Sequence, residues 1–121
     1  MGNSDLILQW SKLIPLKKNN IEEYIKEDIG GVFRISKKDT DDKFYVVFVG
    51  SNSSLKSELI KLVSDKENNF LNQNGEFSFR YAPIKDEETR KAIEKQMYKQ
   101  YAPEYNPKEP ISALEIKVNL S

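Results

Sequence analysis

The sequence predicts an α+β domain: a small, mainly antiparallel sheet of three strands, flanked by helices. Residues 31–35 and the β-branched and aromatic run 44–49, separated by the polar stretch 37–42, read as a β-hairpin. Residues 76–81 alternate Phe77, Phe79 and Tyr81 with Glu76, Ser78 and Arg80, the period of two expected of a half-exposed strand. Around these runs apolar residues recur at spacings of three and four, the helical period. With 121 residues, 38% of them hydrophobic, and only 5 Gly and 5 Pro, the chain has material for one core and no low-complexity signature.

Taken in order, Ser4 can cap a helix with apolar positions Leu6, Leu8, Trp10, Leu13 and Ile14, which Pro15 must end. A second helix, 20–28, starts at the cap-like Asn20, places Ile21, Tyr24 and Ile25 on one side, and stops at Gly30 and Gly31. Residues 1–29 therefore read as a helical segment packed on a core spanning 30–107. The strand 44–49 is apolar on both faces, which predicts helices on either side. Ser53 or Ser54 caps a helix carrying Leu55, Leu59, Ile60, Leu62 and Val63, and 67–75 is a loop. Asp86 caps a last helix to about Tyr101, with Ile93, Met97 and Tyr101 facing inward. Pro103, Pro107 and Pro110 forbid regular helix beyond it, so 108–121 reads as an extended tail with a short strand at 114–118.

Lys plus Arg and Asp plus Glu are both 19, so the formal charge is zero and any attraction to nucleic acid needs a local basic patch. No apolar run approaches the roughly 20 residues that span a bilayer, and 1–10 lacks the flank and cleavage site of a signal peptide, so no membrane partner and a cytoplasmic location are expected. The absence of Cys and His removes thiolate nucleophiles, imidazole bases and zinc sites built on either. What remains is oxygen chemistry: carboxylates on a hard cation, or Tyr, Lys and Ser acting without His.

Gly31-Val32-Phe33, then Phe48-Val49-Gly50-Ser51, then Glu94 followed by Pro103, Tyr105 and Asn106 stand in an order and spacing that resembles the GIY-YIG nuclease domain over about 30–106. The resemblance implies a site in which a Glu holds one metal ion, Tyr hydroxyls activate water and an Arg stabilises the charged phosphate, the division of labour phosphodiester hydrolysis needs. Phe33 and Phe48 stand at the two Tyr positions, Glu58 at the Arg position and Leu62 at a frequent His position; Glu94 retains the metal-ligand position. Both hydroxyls are lost. At the Arg position a cation has become an anion; two unit charges about 4 Å apart at an effective dielectric near 20 interact by roughly 4 kcal/mol, so replacing attraction with repulsion costs several kcal/mol in the transition state, or several decades of rate.

Each position also has a plainer reading. Glu94 can form a helix ion pair with Arg90 or Lys91, Phe33 and Phe48 can be core aromatics, and Lys61 can pair with Glu58. Tyr45 is no substitute hydroxyl, because alternation sends it away from Phe48. Lys91, Lys95 and Lys99 form a stripe on the last helix and, with Lys56 and Lys61, are the candidate nucleic-acid contacts, against the alternative of solvated faces shared with Glu87 and Glu88. The expected function is a catalytically inactive GIY-YIG-like binding module for nucleic acid or protein, without cofactor. The alternatives are an endonuclease with a rearranged site, using Mg²⁺ or Mn²⁺ with Glu94, Lys61 and another Tyr, and a purely protein-binding domain. A basic cleft over the sheet favours nucleic acid; a neutral apolar patch favours protein.

Overall fold

A computed structural model describes residues 6–106, 108–112, 114 and 118–120. The protein is α+β, and the described residues form nine principal elements: β1 Leu6–Ile7, β2 Ile14–Pro15, α1 Lys18–Tyr24, β3 Gly31–Lys38, β4 Phe44–Asn52, α2 Leu55–Ser64, β5 Phe77–Pro83, α3 Glu87–Tyr101 and β6 Val118–Asn119. The main sheet has four antiparallel strands in the order β2-β5-β3-β4, and β1 pairs with β6 in parallel.

The fourth strand corrects the expectation of three, and it arises where a helix is expected. The segment after Leu8 runs beside β5: the Ser11 amide donates to the Tyr81 carbonyl at 2.9 Å, and the Leu16 amide to Phe77, also at 2.9 Å. Pro15 has no N–H to offer, so it suits an outer strand. Pairing with β5 buries Ile14, and Leu8 is buried with Val32, Val49 and Ala82, both without helix, which settles the mixed spacing of the apolar residues there. The Ser4 cap lies outside the described residues. Asn20 is not a cap either: α1 begins two residues earlier, and the Asn20 amide nitrogen donates to the Pro15 carbonyl. The helix closes at Tyr24, still burying Ile21 and Ile25.

Alternation along β3 divides the core in two. Phe33 and Ile35 face α1 and α2, packing with Ile21, Ile25, Leu55, Leu59 and Phe79. Val32 faces α3 and packs with Val49, Ala82, Ile93 and Met97. β5 contributes to both cores, Phe79 to that of α1 and α2 and Ala82 to that of α3; Ser78 and Phe79 are both buried, and the expected half-exposed strand is not found. β4 is the other outer strand, with β2 at the far edge. The Tyr105 amide donates to the Val47 carbonyl, and the Asn106 side chain both accepts from the Val49 amide and donates to its carbonyl, each at 2.9 Å. These contacts occupy an edge that could otherwise pair with another chain.

Asp86 caps α3 as expected, accepting from the Thr89 amide at 2.9 Å. Arg34 ties three distant segments together. Its guanidinium lies 4.3 Å from the Trp10 ring centroid and 5.5 Å from that of Tyr101, and it donates to the Tyr101 hydroxyl at 2.5 Å and the Leu120 carbonyl at 2.8 Å. Burial of this cation pushes its pKa below the usual Arg value. The strand expected at 114–118 falls largely outside the described residues; Val118, its last member, belongs to β6.

Close approach of strands constrains Gly31. A Cβ there would sit 2.3 Å from the Ala82 carbonyl oxygen and 2.6 Å from Leu55 Cδ1, and the oxygen belongs to a paired strand that cannot swing aside. Gly31→Ala is expected to cost about 2 kcal/mol or more by overpacking, read from urea unfolding. An unchanged midpoint would contradict this packing.

Candidate functional site

β3 and β4 carry the first two positions of the motif resemblance. Phe33 is 1% exposed and Phe48 half-buried; their ring centroids are 6.1 Å apart, and the stack continues from Phe48 through Phe70 to Tyr105 at 5.0 and 4.9 Å. The Phe33 ring lies over Gly50, where an added Cβ would meet Phe33 Cζ at 2.5 Å. Both rings are thus structural aromatics in one stack. Leu62 packs against the same core from α2. Glu58, at the start of α2, accepts from the Asn52 amide nitrogen at 3.4 Å; among the described residues its carboxylate forms no ion pair with Lys61.

Glu94 lies elsewhere. It projects from α3, on the opposite face of the sheet from Phe33, and accepts from the Ser51 hydroxyl at 2.5 Å. The expected ion pairs are replaced: Arg90 donates to the Ile84 and Lys85 carbonyls, and Lys91 pairs with Glu87 at 3.6 Å. Burial raises the Glu94 pKa above its ordinary 4.5, opposed by the Ser51 hydrogen bond and by Lys91. Among the described residues Glu94 belongs to no group of three or more acidic, His or Cys side chains that could hold a metal ion. The sheet separates Glu94 from Phe33 and Phe48, so the five matched positions do not converge on one reactive point.

Tyr45 needs a correction. Ile35 pairs with Phe48 but Ser36 pairs with Val46, leaving Val47 as an extra residue. Beyond this bulge Tyr45 pairs with Lys37, two residues from Ile35, so the register no longer sends it to the face opposite Phe48. Its hydroxyl instead donates to Asp41 at 2.6 Å, which holds the Asp41 carboxyl below its usual pKa.

The candidate lysines divide as well. Lys56 and Lys61 belong to α2 on one face, and Lys91, Lys95 and Lys99 to α3 on the other. Lys95 donates to the Ser112 carbonyl at 3.2 Å. They do not form one patch.

A cleft that sequence reasoning missed opens at the end of the α1 and α2 face, with a volume of about 890 Å³. Lys17, Lys18 and Lys66 line it with Phe44, Leu71 and Phe77; among the described residues Glu76 is its only acidic lining residue and lies 3.8 Å from Lys38. Lys37 adds a further cation over Phe77, 5.7 Å from the ring centroid. Its residues come from α1, β4, the turn after α2 and β5, so no local motif announces it; the only sequence signal is the adjacent pair Lys17 and Lys18.

Comparisons of this chain with protein-family models, with curated proteins and with solved structures found no match. No helix among the described residues is long and apolar enough to cross a membrane.

The environment of Glu94 sets a pH dependence. A carboxyl whose folded pKa lies above 4.5 binds its proton more tightly in the folded state, so its contribution to stability falls as pH rises from 4.5 through the raised value. Glu94→Gln can still accept from Ser51 and does not ionise. The variant should therefore gain stability relative to the unmodified protein as pH rises from 4.5 to neutrality, measured by urea unfolding at each pH. A difference that stays constant or changes in the opposite sense would contradict the assignment.

Proposed function

We propose that this protein is a catalytically inactive GIY-YIG-like domain that binds nucleic acid. The observation that carries the partner is the cleft at the end of the α1 and α2 face, where Lys17, Lys18 and Lys66 outnumber Glu76 on a chain of zero formal charge. A local excess of cations is what phosphate binding requires when net charge supplies no general attraction. The GIY-YIG-like part of the reading is supported by the motif order and by the succession of hairpin, helix, strand and helix from β3 to α3.

Loss of catalysis follows from residue chemistry. Phe33 and Phe48 have no hydroxyl to activate water, Glu58 repels a phosphate, and Glu94 is bonded to Ser51 on the other face of the sheet. Hydrolysis needs a nucleophile, a proton acceptor and a charge stabiliser at one point, and these residues supply none of the three together. The basic lining favours nucleic acid over the purely protein-binding alternative, for which a neutral apolar patch would be the expected surface.

Two measurements test this reading. Supercoiled plasmid incubated with the protein and Mg²⁺ or Mn²⁺ should remain un-nicked; nicking that disappears in Glu94→Ala would establish a live, rearranged active site. In fluorescence anisotropy, labelled oligonucleotides should bind at low salt, and the combined Lys17→Glu, Lys18→Glu and Lys66→Glu changes should weaken binding at least about tenfold, because three phosphate contacts become repulsions. No binding of single-stranded or duplex oligonucleotide would reject the nucleic-acid reading.

A further inference from the structure

The two walls of the cleft differ in chemistry, and the difference bears on the form of nucleic acid it takes. Lys17 and Lys18 at the start of α1 and Lys66 after α2 are exposed cations. Phe44 at the start of β4, Phe77 at the start of β5 and Leu71 are half-buried apolar side chains. Phe77 is held by an edge-on contact with Phe70 at 5.9 Å, with Lys37 over its ring. A duplex presents phosphates outward and hides its base faces in the stack, leaving such a wall without a partner. A single strand presents both at once: phosphates to follow cations, and unstacked bases to lie on aromatic rings. At about 890 Å³ and open to solvent, the cleft has room for a few nucleotides.

We infer that the cleft is a single-strand binding site, with Lys17, Lys18 and Lys66 on successive phosphates and Phe44 and Phe77 as the surface on which bases stack. This rests on the nucleic-acid reading and narrows it. The site differs from the positions transferred by motif resemblance: none of Phe33, Phe48, Glu58, Leu62 or Glu94 lines it. Because stacking reads no base edge, binding should tolerate any sequence.

The test uses the full chain and a fluorescein-labelled oligothymidylate of about ten residues, alone or annealed to its complement. The single strand should bind at least about tenfold more tightly than the duplex, with a slope of log affinity against log salt of about −2, the value for three phosphates on a single strand. Phe44→Leu keeps an apolar side chain but removes the planar face, and should weaken single-strand binding about fivefold or more. Ultraviolet cross-linking of the unmodified protein to the same oligonucleotide carrying 5-iodouridine provides a readout that does not depend on the variant folding. The cross-link should map to the peptides containing Phe44 or Phe77. Duplex binding as tight as single-strand binding would overturn the inference while leaving the nucleic-acid reading intact, as would cross-links confined to other peptides. Binding of polyglutamate with no binding of either oligonucleotide would overturn both.

Discussion

Successive side chains of β3 must leave the sheet on opposite faces, and this pleat assigns every helix its place. Val32 and Arg34 go to the side of α3, where Arg34 gathers Trp10, Tyr101 and the Leu120 carbonyl. Phe33 and Ile35 go to the side of α1 and α2. Because β3 is flanked by β4 and β5 through most of its length, neither neighbour can slip by one residue without turning both sets of side chains inside out. The same division puts Glu94 and Phe33 on opposite sides of the sheet.

The packing of Phe33 gives its missing hydroxyl a physical setting. Its ring is 1% exposed and lies over Gly50, so a phenol there would need a buried hydrogen-bond partner or would cost about 1–3 kcal/mol of desolvation. Phe48 is engaged by Phe70, itself stacked on Tyr105, whose amide and neighbour Asn106 cover the edge of β4. The aromatic positions, the loop after α2 and the segment after α3 are thus one packed unit. Asn106, noted in the sequence as part of a motif, acts here as a clamp on the strand edge.

Much of the fold was legible in the sequence, and the exceptions have identifiable causes. The hairpin, α2 and α3 have strong periodicity and, for α3, a cap in Asp86 that the structure retains. The segment before α1 was misread because its apolar residues fit two periods and its pairing with β5 amounts to a two-residue strand plus isolated hydrogen bonds, too short to leave a pattern. Tyr45 was misplaced because a bulge is invisible to alternation. At the matched positions, the burial of Phe33 and the absence of its hydroxyl were readable, whereas the commitment of Glu94 to Ser51 depends on a strand contact 43 positions away. The basic cleft draws one or two residues from each of several elements, so only the folded chain assembles it.

The proposed function puts the working surface of this domain at the cleft between the start of α1 and the turn after α2, and not at the matched motif positions. Amide chemical-shift mapping by NMR, with an oligothymidylate titrated into isotopically labelled protein, addresses it residue by residue. The account predicts that the largest perturbations cluster at Lys17, Lys18, Phe44, Lys66, Leu71 and Phe77. Perturbations centred instead on Ser51, Arg90, Lys91 and Glu94 would contradict it and return the binding surface to the matched metal-ligand position.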